Sequence, residues 1–193
     1  MPKEDIETYS PKSRTDWRNW LDANHQSKQS VWLIFFKTTS PLFTIGWSEA
    51  VDEALCFGWI DSTKRTIDKE SYMQYFSKRK PNSIWSKINK DKVDDLISKE
   101  QMREAGYKSI EIAKKNGSWF ILDEVEALIV PQDLKRAFDK RAGSFEYYQS
   151  LSSSAKKILL SWLVLAKRTE TRQNRIVEIA DNASKKQLPK SFR

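Results

Sequence analysis

The forty residues from Trp47 to Ser86, WSEAVDEALCFGWIDSTKRTIDKESYMQYFSKRKPNSIWS, change hydrophobic period twice, and this constrains the fold more than any other feature of the chain. Ser48, with Glu49 and Asp52 as first-turn acids, opens a helix whose apolar side is Ala50, Val51, Ala54, Leu55 and Phe57. Gly58 is its natural stop. WIDSTKRTI and SYMQYFS, parted by Asp68, Lys69 and Glu70, then read as an antiparallel hairpin. Alternation along its first strand puts Trp59, Asp61, Thr63 and Arg65 on one face and Ile60, Ser62, Lys64 and Thr66 on the other. Beyond Pro81 the pattern turns helical.

Upstream, Ser13 or Thr15 caps a helix through Asn24 with Trp17, Trp20 and Leu21 on one face. VWLIFFK, Val31 to Lys37, is a continuous β-branched and aromatic run that predicts a strand covered on both faces. Downstream, Ser83 caps a helix carrying Trp85, Ile88, Val93, Leu96 and Ile97, and a second spans Glu104 to Lys115, ending near Gly117. Further helices are expected at 131–141, opening with Pro131, and at 144–150, 153–168 and 171–184. The run from Ile158 to Ala166 is apolar on nearly every side and predicts a buried centre. The expected fold is α+β, with a small antiparallel sheet of three strands (31–37, 58–66, 71–77) and flanking helices in the N-terminal half, and a helical C-terminal half. A flexible N-terminal arm is expected at 1–12 and the α+β part with the hairpin at 13–82. The helical part, 83–193, is expected to pack on it as one compact unit, with a soft boundary at Arg79 to Ser83.

With 193 residues, 39% of them hydrophobic and 12% aromatic, the chain has the material for a real core, which argues against disorder. The longest apolar run, ILLSWLVLA, falls far short of the roughly 20 residues a bilayer requires. MPKEDIETYSPKSR carries charges of both signs and no apolar stretch of the signal-peptide kind, so the expectation is a cytoplasmic protein with no membrane span. Cys56 is the only cysteine and sits in an apolar run, which excludes an internal disulfide and a thiolate cluster. His25, the only histidine, falls at a helix end and reads as a surface or capping residue. No metal ligand set, nucleophile–base pair, phosphate-cradling glycine loop or dinucleotide fingerprint stands out, so neither metal nor cofactor is expected.

The net charge of +8 is unevenly spread. Residues 1–149 hold 24 Lys and Arg against 23 Asp and Glu, whereas 150–193 hold 10 against 3. The C-terminal excess, Lys156, Lys157, Lys167, Arg168, Arg172 and Arg175 above all, suits phosphates or an acidic partner, or simply a solvated helical face. Around the hairpin, Trp59, Asp61, Arg65, Arg79 and Trp85 form the candidate ligand-binding set, apolar walls beside a few charges. The plainer reading pairs Asp61 with Arg65 or Arg79 and leaves the tryptophans to the core.

DEALCFGWID, RKPNSIWSKIN and KRTETRQNRI, in that order, resemble the three landmarks of the YdeI/OmpD-associated, or bacteriocin-protection, family, over about residues 13–188. The resemblance implies an α+β N-terminal part, a helical C-terminal part, and a bacterial cytoplasmic protein of undetermined biochemistry linked to stress or bacteriocin protection. Three readings stay open. One is a small binding module for an anionic ligand or acidic partner. Another is nucleic-acid binding through the basic C-terminal helices. The third is an enzyme acting on a small substrate with Asp61 as base.

Overall fold

The computed structural model describes residues 7–192, and the chain divides into two compact units, Met1–Trp119 and Phe120–Arg193. Of the arm expected at 1–12, residues 1–6 lie outside the described residues. Thr8–Tyr9 form a short strand, β1, that pairs in parallel with the next strand.

In the first unit, α1 (Arg14–Asn24) is capped by Ser13, whose Oγ accepts from the Asp16 amide, and buries Trp17, Trp20 and Leu21. After it come β2 (Ser30–Phe36), α2 (Trp47–Cys56), β3 (Trp59–Thr66), β4 (Ser71–Lys78), α3 (Lys87–Ser98) and α4 (Glu104–Asn116). The sheet is four-stranded and mixed, in the order β1-β2-β4-β3, rather than three-stranded and antiparallel. Two residues carry no measurable period, so β1 leaves no trace in the hydrophobic pattern.

Val31, Leu33 and Phe35 of β2 are buried together with Phe76 of β4 and Trp59 of β3, and with Trp17 and Leu21 of α1 and Ala54 and Leu55 of α2 they make one core. The other face of β2 is only partly covered. Ile34 and Phe36 are half-buried there, and Trp32 is shielded by Tyr75, edge-on at 5.1 Å, and by Arg65, 4.6 Å above its ring. The two-sided covering expected from the apolar run is thus replaced by one helical layer and a patch of cross-strand side chains.

A β-bulge corrects the expected alternation in β3. Asp61 lies opposite Phe76 and Lys64 opposite Gln74, so three steps on β3 answer two on β4. The extra residue turns Lys64 to the side of Asp61 and Gln74, with its ammonium 3.9 Å from the Tyr72 ring centroid, and turns Arg65 to the opposite side with Met73 and Trp32. Arg65 therefore leaves the face it was expected to share with Trp59 and Asp61.

Helices α3 and α4 belong to the first unit, because Val93, Leu96, Met102, Ile110 and Ala113 enter its core. This is why the division falls after Trp119 and not at Arg79 to Ser83. The cap of α3 is Ser86, not Ser83, so Trp85 precedes the helix and is buried against Trp119. Gly58 and Gly106 allow α2, β3 and α4 to approach closely. A Cβ on Gly106 would lie 2.4 Å from the Cys56 carbonyl oxygen, and one on Gly58, where φ is +71°, 2.8 Å from that of Ala105.

The second unit contains α5 (Asp123–Glu126), α6 (Gln132–Asp139), α7 (Ser144–Ser150), α8 (Ser153–Val164), α9 (Thr169–Ser184) and a 3-10 turn at Lys190–Phe192. Leu134, Phe138, Tyr148, Leu159, Leu163, Ile176 and Ala180 form its core. The expected all-round burial of α8 does not hold, since Ile158 is 49% exposed while Leu159, Leu160 and Leu163 are buried. The helix is an ordinary two-faced one whose outer side happens to be apolar. No helix among the described residues is long and apolar enough to cross a membrane.

Candidate functional site

Two cavities flank residues 78–81, at the end of β4 and the turn that follows it. The first, about 640 Å³, opens at the Gly58 turn where α2 hands over to β3. Asp22, His25 and Gln26 at the end of α1 form one side and the start of α4 the other. Five cations face it, Lys78, Arg79, Lys80, Arg103 and Lys108, against two acids, Asp22 and Glu104. Phe57, Trp59 and Ile112 supply its apolar surface. His25 ends α1 as the capping residue expected, with Nδ1 2.9 Å from the Leu21 carbonyl oxygen. The second cavity, about 1000 Å³, lies along the outer end of β3 and β4 and is lined by hydroxyl and amide side chains together with Asp61 and Arg79.

Arg79 is common to both. Its guanidinium lies 3.7 Å from the Trp85 ring centroid, and Nη1 donates to the Ile84 carbonyl at 3.1 Å. Nε and Nη2, the side-on edge with which arginine grips a carboxylate or phosphate, are buried and have no acceptor among the described residues. The indole N–H groups of Trp59 and Trp85 are likewise buried and unpaired. Burial pushes the Arg79 pKa down to about 10, with Asp61 acting weakly in the other direction. A second arginine shows what is missing: Arg172 uses the same edge to hold Asp133, Nε to Oδ2 at 2.7 Å and Nη2 to Oδ1 at 3.0 Å.

Asp61 and Arg79 both border the larger cavity, but the Asp61 side chain lies on the sheet face of Phe76 and Gln74, opposite Ile60, Tyr75 and Ser77, and no ion pair joins it to Arg79 or Arg65 among the described residues. Its Oδ2 accepts from Trp47 Nε1 and Gln74 Nε2, both at 2.9 Å. Of the five residues singled out in the sequence, Arg79 and Trp59 line the smaller cavity, Trp85 backs the guanidinium, Asp61 turns to Trp47 and Gln74, and Arg65 lies on the far face over Trp32. Arg103 and Lys108 left no signal in the sequence reading, because nothing local tells which helix will close on the Gly58 turn. Glu53, an acid within the apolar face of α2, needs a partner, and it holds Arg14 and Arg18 at 2.5 Å each. Burial opposes the charge on both arginines, and the Glu53 carboxylate more than reverses this, leaving both pKa values raised.

The basic C-terminal residues are largely engaged within the second unit. Lys157 pairs with Glu126, and Lys156 donates to the Gln149 carbonyl. Arg172 and Arg175 donate to the Leu163 and Trp162 carbonyls at the end of α8, where cations offset the negative end of the helix dipole. Of the six named in the sequence, Lys167 and Arg168 alone show no side-chain partner among the described residues.

The first unit is thus a small α+β domain with a cationic cleft at one end of its sheet. Residues 9–109 match a domain of unknown function (DUF8412), more than half of the chain, and the chain belongs to that family. Residues 127–186 match the family described as Bacteriocin-protection, YdeI or OmpD-Associated. That resemblance therefore holds for the C-terminal segment with KRTETRQNRI, and not for 13–188. DEALCFGWID and RKPNSIWSKIN lie in the stretch matched by the domain of unknown function. No curated protein and no solved structure matches the chain.

Proposed function

We propose that the first unit is a binding module for a small oxyanion-bearing ligand, centred on Arg79. The observation that carries this is the unpaired Nε and Nη2 edge of a desolvated guanidinium between two cavities. Buried donors without acceptors are rare in folded proteins and call for an explanation, and a bound oxyanion supplies one. Arg79 lines both cavities, so a ligand in either lies beside its side chain. The surplus of cations around the smaller cavity attracts anions to it, and its volume is in the range of small-ligand sites. The match of residues 127–186 to the Bacteriocin-protection, YdeI or OmpD-Associated family supports a link to bacteriocin protection.

Isothermal titration of the full chain with inorganic phosphate tests the reading. Saturable binding in the micromolar to millimolar range, weakened at least tenfold in Arg79→Gln, is expected. Phosphate binding of equal strength in the variant would place the anion elsewhere.

A further inference from the structure

The cations of the smaller cavity come from two distant segments, and both segments are tied to the same short stretch at the Gly58 turn. The Arg79 amide donates to the Gly58 carbonyl at 2.9 Å, and the Arg103 amide to the Cys56 carbonyl at 3.1 Å. Two residues of extended chain span about 7 Å at most, so the bank of Lys78, Arg79 and Lys80 and the bank of Arg103 and Lys108 are anchored within the length of a small molecule. Contacts with the end of α1, one side of the cavity, locate two of the charged tips. Lys78 Nζ donates to the Gln26 carbonyl at 2.7 Å, and Arg103 Nε stands 4.0 Å from Asp22 Oδ1. Positions 22 and 26 are one helical turn apart and neighbours on the surface, about 5–6 Å between their Cβ atoms. One cation from each bank therefore sits on the same wall.

Charge and volume ask for more than one oxyanion. A phosphoryl group carries about 1.5–2 negative charges at neutral pH, which leaves part of the surplus of five cations over two acids unmet. It also fills only a small part of about 640 Å³. A second phosphoryl linked to the first supplies the missing charge and reaches the second bank. Three of the five cations are lysines, which meet phosphate oxygens as point charges, whereas the planar fork of arginine is the better grip on a carboxylate. An aromatic body finds little to rest on, since Phe57 and Trp59 are 2% and 0% exposed and Ile112 is the one of the three that is open.

We infer that the ligand of this cavity carries two linked phosphoryl groups, one beside Arg79 with Lys78 and Lys80, the other with Arg103 and Lys108, and that this diphosphate supplies the recognition. This rests on the anion-binding reading of Arg79 and adds the class of molecule.

The test is calorimetric titration of the full chain with pyrophosphate, inorganic phosphate, succinate and ADP, with no divalent cation added. Pyrophosphate should bind at least tenfold more tightly than phosphate, and succinate no more tightly than phosphate. ADP should match pyrophosphate where terminal diphosphates are accepted and fall below it where the free anion is the ligand. Arg103 and Lys108 are exposed, so Arg103→Gln and Lys108→Gln leave the core untouched, and each should lower the ratio of pyrophosphate to phosphate affinity at least fivefold. Lys69→Gln, in the turn at the far end of the β3–β4 hairpin, should leave that ratio unchanged. Phosphate binding with no gain from the second phosphoryl overturns the inference and leaves the anion-binding module standing. An ADP or succinate that outbinds pyrophosphate, or a Lys69→Gln effect equal to that of Lys108→Gln, also overturns it. Absence of phosphate and pyrophosphate binding alike removes both readings.

Discussion

Arg79 sets function against stability at the scale of one side chain. Its displacement from the ordinary guanidinium value of 12.5 to about 10 corresponds to a cost on the order of 3 kcal/mol for keeping the charge desolvated. Stacking on Trp85 and the bond to Ile84 each return about 1 kcal/mol and would be lost or reduced on replacement. Arg79→Met keeps an apolar chain against the ring, so the variant should unfold roughly 2–4 °C higher, a gain of about 1 kcal/mol, while losing phosphate binding. A cation whose pKa is lower in the folded state destabilises the fold while charged. The penalty is complete below the folded value and lifts as pH rises from about 10 toward 12.5. The difference in unfolding temperature should therefore shrink between about pH 9 and pH 11, which calorimetry at the two values will show. Tyr148 in the second unit is a simpler case. Burial raises its pKa to about 12, and its hydroxyl has no partner among the described residues. Tyr148→Phe should be neutral or stabilising by about 1 kcal/mol in chemical denaturation, and a loss of more than that would reveal a hydrogen bond to the hydroxyl.

Elements meet most closely where α2 ends and α4 begins. In an unconstrained helix, alanine in place of glycine is stabilising by roughly 0.5–1 kcal/mol. Gly106→Ala should reverse that sign, because the new methyl would meet the Cys56 carbonyl at 2.4 Å and the Met102 methyl at 2.6 Å. A loss of about 2–3 kcal/mol is expected. Gly117, with φ at +84° and open space around its Cβ direction, should lose only about 1 kcal/mol on the same change. Denaturant melts of the two variants give the order, and equal effects would mean that α4 does not seat on Cys56 as described. The capping of α1 by Ser13 and the end of α4 at Gly117 were legible in the sequence, since both are local chemistry. The cap of α3 was misplaced by three residues because Ser83 and Ser86 are equally good acceptors, and the burial of Trp85 against Trp119 decides between them.

Across the whole molecule, charge is the property that tempts one toward nucleic acid. The six basic residues of the C-terminal segment, if all neutralised phosphates, would give a salt dependence of duplex binding with a slope of about −5. Lys157, Arg172 and Arg175 are held by Glu126, Asp133 and the α8 carbonyls, and Lys156 by Gln149. With Lys167 and Arg168 remaining, the slope should be no steeper than about −2. Titration with single- and double-stranded oligonucleotides at two salt concentrations measures it, and a slope near −5 would show that the internal pairs open to meet DNA. Arg172→Ala should instead act on stability, leaving Asp133 half-buried without its partner at a cost of roughly 2–4 kcal/mol.

Local patterning determined a good deal by itself: the α+β class, the β3–β4 hairpin, most helices and the apolar faces that meet in the cores. These depend on spacing along the chain, which secondary structure converts directly into faces. It also brought out Asp61, Arg79, Trp59 and Trp85 as residues to watch. The tertiary structure alone decided which of them meet. One extra residue between Asp61 and Lys64 moved Arg65 to the other side of the sheet, and no pattern of alternation foretells a bulge whose cause is the pairing with β4. The cations of the cleft come from β4, its following turn and α4, brought together by two glycine contacts between segments about fifty residues apart. Whether an arginine is paired or left with an empty edge depends on such distant neighbours. For that reason Arg79 and Arg172, alike in the sequence, differ so completely in the fold.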